Sequence, residues 1–293
     1  IEKGKNIKRK IGREICSDED ADEDNQYMNM ISLRSAFENI NSEYPDFKFD
    51  VIAIDACLEG IIEYAYELKD FANYYIASYT TVDEDGWEYD QVMGNLKEYP
   101  DMTIQQFGEL AINEFKKRYA LSDNNDSNAT IAFVNLTKIE EVGNYLSEMC
   151  DLFLSENGDS YWAQLYLAIE GADFLAISPD LGECIDLYTL LERIENTLEQ
   201  TEIKNYAKSA KEKLSEAIES YFVNTYHQNA RGLGIYFPVL TGYDDYYEIA
   251  DPNWSANVSW AQLISTFFST EDKKDIIAPQ PNKITDLPTY SKT

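Results

Sequence analysis

The chain has 293 residues and carries 54 Asp and Glu against 24 Lys and Arg, a formal net charge of −30 at pH 7. Phosphate affinity comes from clustered cations that release counterions, so this balance argues against nucleic acid as a partner. A composition that is 44% hydrophobic and 13% aromatic can bury a sizeable core, which excludes disorder of the chain as a whole.

No stretch approaches the roughly 18 uninterrupted apolar residues of a membrane span, so a soluble chain is expected. The four cysteines, Cys16, Cys57, Cys150 and Cys184, lie far apart without Cys-x-x-Cys spacing. That pattern speaks against a zinc site or a disulfide scaffold and leaves room for a working thiol. A start at Ile1, with neither Met nor a basic-then-apolar signal, reads as a boundary with sequence missing upstream.

Residues 1–26 are poor in apolar side chains, basic from Lys3 to Arg13 and acidic from Asp18 to Asp24, and read as a solvated, mobile leader. Folding begins near Tyr27, with Leu33, Phe37 and Ile40 at helical spacing. Val51, Ile52, Ala53 and Ile54 are apolar on both faces, as in a central parallel strand covered by helices. Ile61, Ile62, Ala65, Leu68 and Phe71 form one stripe, predicting an amphipathic helix over residues 59–71, and residues 74–78 read as the next strand.

After a loop rich in Asp and Gly, Thr103 and Gln106 have the spacing of a capping box that opens another helix. A strand at 129–136 and a helix near 140–154 repeat the alternation. Then come helices at 187–199 and 206–223, a strand at 232–237 stopped by Pro238, and a helix near 260–268. From 276 the composition suggests a loose tail. We expect an α/β fold with a leader at 1–26, an α/β part at 27–150, a more helical part of the same chain at 151–275, and a tail at 276–293.

Open α/β sheets place reactive groups beyond the carboxyl ends of their strands. Cys57 follows the 51–54 strand directly and precedes the predicted helix, whose positive end would lower the thiol pKa and favour the thiolate. The alternative is a buried core cysteine.

The stretch FDVIAIDACLEGIIEYAYELKDFANYYIAS (residues 49–78) resembles the nucleophile region of the clostripain-like cysteine peptidases. YMNMISLRSAF, DGWEYDQVMGNL, CIDLYTLL, ARGLGIYFP and SWAQLISTFFS resemble the same family in the same order, over residues 10 to 270. The resemblance implies a caspase-like three-layer sandwich, a mostly parallel sheet flanked by helices, with Cys57 as nucleophile. The family's catalytic histidine precedes the cysteine in a strand ending His-Gly, whereas the single histidine here is His227, downstream. His227 is either a replacement base or an ordinary residue near the negative end of the long helix, and the ordinary reading is adopted.

Family members are commonly cut between histidine and cysteine into associated light and heavy chains. By that resemblance this chain is a heavy chain whose histidine arrives on a light chain paired beside the 51–54 strand, leaving an open sheet edge when alone. The family's preference for Arg or Lys before the scissile bond implies an acidic pocket. Asp55 lies two residues before Cys57, on the same face if strand alternation holds, and Asp85 is the second candidate. Asp55 could instead cap the following helix, and Asp85 could serve a turn before Gly86.

The acidic run at 18–24 could attract calcium, but it lacks the spacing and glycine of an EF-hand loop, so no cofactor is expected. The expected protein is a secreted or cell-envelope bacterial endopeptidase acting on basic peptides. The competing expectation is a non-catalytic homologue that binds peptides or proteins.

Overall fold

A computed structural model describes residues 14–17, 20, 27–82, 86–120, 129–155, 161–176, 183–238 and 251–269. Part of the expected leader is ordered: β1 (Glu14–Ser17) pairs antiparallel with β2 (Tyr27–Asn29). Helix α1 (Met30–Glu43) starts where Asn29 caps it, its side-chain oxygen accepting the Ser32 N–H at 3.0 Å.

Strand β3 (Phe49–Ala53), helix α2 (Ile62–Leu68) and strand β4 (Ala72–Ala77) make a parallel βαβ unit. Two helices follow, α3 (Tyr89–Glu98) and α4 (Ile104–Ala120). The capping box forms as read: the Thr103 N–H reaches Gln106 Oε1 at 2.9 Å, and the Gln106 N–H reaches Thr103 Oγ1 at 3.2 Å.

Strand β5 (Thr130–Asn135) leads into α5 (Ile139–Leu154) and α6 (Trp162–Glu170). The chain continues through β6 (Phe174–Ala176), β7 (Glu183–Asp186), α7 (Leu187–Thr197) and α8 (Thr201–Ala217). It ends with β8 (Ile218–Val223), β9 (Gly234–Tyr236), α9 (Pro252–Asn257) and α10 (Trp260–Ser269). The helix expected over 206–223 therefore stops at Ala217. Ile218, Tyr221, Phe222 and Val223 are β-branched or aromatic, and their backbone pairs with β5, which outweighs continuing the helix.

The main sheet runs β3-β4-β5-β8, and a smaller one runs β6-β7-β9. Pairing in the main sheet is mixed: β3 and β4 are parallel, whereas β4–β5 and β5–β8 are antiparallel, so the mostly parallel expectation holds only at β3 and β4. Among the described residues β3 is an edge strand rather than a central one. Its Ile52 is buried while Asp50 and Ala53 are exposed.

Alternation along β4 and β5 builds the layers. Tyr75, Ala77, Ala132 and Val134 face a core shared with α2, α5 and α8. Tyr74, Ile76, Ile131 and Phe133 face the opposite side, against Ala111, Ile112 and Phe115 of α4. Burying each of these large side chains contributes roughly 1.5–3 kcal/mol. The result is a three-layer α/β sandwich. No described helix is long and apolar enough to cross a membrane.

Candidate active site

Beyond Ala53 the β3 strand keeps one more link to its neighbour, the Ile54 N–H to Ile76 O bond at 2.9 Å, and then turns away. The turn is sewn to the end of β4: the Leu58 N–H reaches Thr80 O at 3.1 Å, and the Gly60 N–H reaches Ser78 O at 2.7 Å. Leu58 takes a positive φ of 69°. A Cβ on Gly60 would lie 2.6 Å from both Ser78 C and Tyr79 N, so only glycine allows the turn to lie so close to β4. These contacts hold the stretch from Asp55 to Gly60 against the end of β4.

The end of β4 is itself held by buried hydroxyls. Thr80 Oγ1 accepts the Thr130 N–H at 2.9 Å and lies 3.0 Å from Thr130 Oγ1. On the far side of the turn, Ile61 bridges Gly234 in parallel, and the Gly234 N–H donates to Gly60 O at 2.8 Å. The smaller sheet thus buttresses the turn through β9.

Cys57 sits at the crest of this turn and is exposed, which excludes the core-cysteine alternative. Its Sγ accepts the Val82 N–H at 3.2 Å and lies 3.5 Å from Val82 O. The neighbouring amides of Ile54, Leu58 and Gly60 are spent on Ile76, Thr80 and Ser78, and the Cys57 amide stands outside that set. One expectation is corrected here. Helix α2 begins at Ile62 with Ile61 as its cap, because the Gly60 and Gly234 contacts hold residues 57–61 out of helical geometry. The positive end of a helix acts within its first turn, so it does not bear on Cys57.

Asp55 lies beyond the end of β3, and strand alternation does not set its direction; nor does it cap α2. Its Oδ2 accepts the Trp87 N–H at 3.1 Å and the Tyr89 hydroxyl at 2.7 Å. Gly86, at φ +63°, has no room for a side chain: a Cβ there would sit 2.3 Å from Asp55 Oδ2. Burial, and next the bond to Asp55, push the Tyr89 phenol up to about 12. The Trp87 and Tyr89 rings stack with centroids 6.4 Å apart. Asp85 lies outside the described residues. The turn and the loop after β4 therefore meet twice, at Cys57 with Val82 and at Asp55 with Trp87 and Tyr89.

His227 lies in a 3-10 turn, Thr225–His227, after β8, not at a helix end, because the predicted long helix gives way to a strand. It is buried, its Nδ1 is 2.5 Å from Asp173 Oδ1, and its ring packs edge-on to Tyr79 at 6.0 Å. Sequence reasoning missed Glu59, which is 1% exposed; burial, and next the Asp251 carboxylate, push it up to about 8. The signal available was the spacing of Glu59, Glu63 and Glu67, four residues apart beside the apolar stripe.

The Clostripain family model matches residues 3–267. Clostripain of Hathewaya histolytica is 24% identical over 297 residues, 88% of this chain and 55% of that protein. The chain thus spans about half the length of the curated relative it matches. A clostripain from Bacteroides thetaiotaomicron, solved with the peptide inhibitor BTN-VLTK-AOMK, is 14% identical with a TM-score of 0.56, covering 83% of this chain and 96% of that one. A secreted C11 cysteine protease from the same organism, bound to an irreversible peptide inhibitor, is 15% identical with a TM-score of 0.56, covering 85% and 69%. Both structures share the fold, the caspase-like sandwich anticipated from the sequence.

Proposed function

This chain belongs to the clostripain family of cysteine peptidases, and from that premise we propose that it is the heavy chain of an endopeptidase cutting after Arg or Lys, with Cys57 as the nucleophile. The observation that carries this reading is an exposed sulfur on a tightly sewn turn, beside a carboxylate held by the adjoining loop.

In the proposed reaction the Cys57 thiolate attacks the scissile carbonyl carbon, forming a C–S bond, and the carbonyl oxygen takes the negative charge. The Cys57 amide donates to that oxyanion. Collapse breaks the C–N bond, and the leaving amine takes a proton from an imidazolium. Water then cleaves the thioester, returning the thiol and releasing the acid. The imidazole is assigned to a histidine upstream of Ile1, because His227 is buried against Asp173. These steps use protein groups alone, so no cofactor is part of the proposal.

Among the described residues one side of β3 has no neighbouring strand, which supports a light-chain partner. A strand added there would continue the sheet beside Val51, near the exposed rings of Tyr44 and Phe47. The substrate preference rests on Asp55, whose carboxylate would pair with the basic side chain preceding the scissile bond, with Asp85 as the proposed second acid. A net charge of −30 would favour encounter with cationic peptides. The inhibitor of the Bacteroides thetaiotaomicron clostripain carries VLTK, which supports the basic preference, and its secreted C11 relative supports export.

The test is labelling of the full-length gene product with a lysyl or arginyl peptide chloromethyl ketone, followed by peptide mass mapping. Modification is expected at Cys57 and is expected to vanish in Cys57→Ala. A thiol that stays unmodified would overturn the enzyme and leave a peptide-binding homologue.

A further inference from the structure

A carboxylate offers two oxygens and about four lone-pair directions. At Asp55 both directions of Oδ2 are in use, one by the backbone N–H of Trp87 and one by the Tyr89 hydroxyl at 2.7 Å. Gly86 lies against the same oxygen, where a Cβ would fall 2.3 Å from it. Among the described residues, Oδ1 accepts no hydrogen bond. The carboxylate is therefore half spent before a substrate arrives.

The two basic side chains differ in what they ask of such a group. A lysine ammonium is a compact point charge that one oxygen can pair, its other protons staying on water. An arginine guanidinium is a planar fork whose strong mode engages both oxygens side by side. With Oδ2 saturated, the fork can engage Asp55 through one oxygen only, and the side-by-side mode on this carboxylate is lost.

We propose that Tyr89 is a specificity-determining residue, biasing the Asp55 site towards lysine over arginine by occupying the oxygen that a guanidinium would need. The inference rests on the reading of Asp55 as the partner of the substrate's basic residue. Two further observations agree with it. Tyr89 is 48% exposed, so its ring stands where a peptide can meet it. The phenol pushed up to about 12 keeps its proton, and hence its donor role, throughout the neutral range. The Trp87 bond comes from the backbone and survives any side-chain change, so Tyr89 is the removable half of the lock.

The experiment compares kcat/KM of the full-length enzyme and its Tyr89→Phe variant on three matched fluorogenic peptides, with Lys, Arg or Leu before the scissile bond. Wild type is expected to favour Lys. Tyr89→Phe is expected to raise the Arg-to-Lys ratio by about five- to tenfold, the scale of one charge-assisted bond gained. Because Tyr89 is half exposed, the variant should fold, and an unchanged melting temperature checks this. If both basic peptides stay far ahead of Leu while their ratio does not move, or moves towards Lys, the role of Tyr89 is overturned and the basic preference stands. If wild type cuts the Leu peptide as well as the basic ones, the assignment of Asp55 falls, and this inference falls with it.

Discussion

Helices α2 and α8 have similar amphipathic sequences and opposite fates. Along α8 the inward positions Ile203, Ala207, Ala210, Leu214 and Ala217 are buried while Glu202, Lys208, Glu212 and Glu216 lie in water. In α2 all seven residues are buried, glutamates included. The difference is what lands on the polar side. Among the described residues no backbone amide from another element donates to a glutamate of α8, whereas over α2 the Tyr236 N–H donates to Glu63 Oε1 at 3.0 Å and the Trp254 N–H to Glu67 Oε1 at 2.9 Å. Glu67 Oε2 also takes Arg34 at 3.1 Å. Periodicity reports which face is apolar; it does not report which distant amides will seek the other face.

The strongest way to break this contrast is Glu67→Ala. Burial raises the Glu67 carboxyl, and the Trp254 amide and the Arg34 guanidinium pull it back. Truncation removes an acceptor from the Trp254 amide and leaves Arg34 without its buried counter-charge, an expected loss of about 3–5 kcal/mol. Urea unfolding of the full-length protein measures it. A loss comparable to that of Glu212→Ala on α8 would mean that the two helices do not differ as argued.

A second test uses pH, and its site is Glu59, one turn before Glu63. Its carboxyl is pushed from 4.5 up to about 8 by burial and next by Asp251. Between those values the folded chain holds a proton that the unfolded chain has released. Stability therefore falls as pH rises from about 4.5 towards 8 and this contribution levels off above, at about 1.4 kcal/mol per pH unit within the window at most. Asp186, raised from 3.8 to about 7 chiefly by burial, slopes the same way, so the informative quantity is wild type minus Glu59→Gln. That difference is expected to shrink or reverse as pH approaches 8. Melting curves that stay parallel across the window would sink it.

Much of the architecture was legible. The apolar run at 51–54, the capping box at Thr103 and the alternation through β4 and β5 each follow from local pattern, and they gave strands and helices near their observed places. The place of Cys57 just beyond β3 was legible too, since the apolar run that forms the strand stops at Ile54. The turn was not. That α2 begins at Ile62 depends on Gly60 lying against Ser78 and on the Gly234 bridge, contacts between segments distant in sequence. Among the described residues β3 is an edge strand, and this was hidden because Val51 to Ile54 is as apolar as a central strand. The Asp55 bonds to Trp87 and Tyr89 were hidden for the same reason as the buried glutamates: a carboxylate in sequence does not name its donors.

The smallest expected effect probes the solvated side of the contrast. Lys208 and Glu212 of α8 are 3.9 Å apart and mostly exposed, with side chains 57% and 61% accessible. Screening by water and the entropy of two long side chains hold such a pair below about 0.5 kcal/mol. The order also matters, since lysine four residues before glutamate is the weaker arrangement against the helix dipole. Exchanging them, Lys208→Glu with Glu212→Lys, is therefore expected to raise stability by about 0.2–0.3 kcal/mol, measured by a double-mutant cycle at low salt. The gain should fade as salt is added, because the Debye length falls to about 3 Å at 1 M. A coupling that stayed large in high salt would show a partner hidden on this face of α8, making it resemble α2 after all.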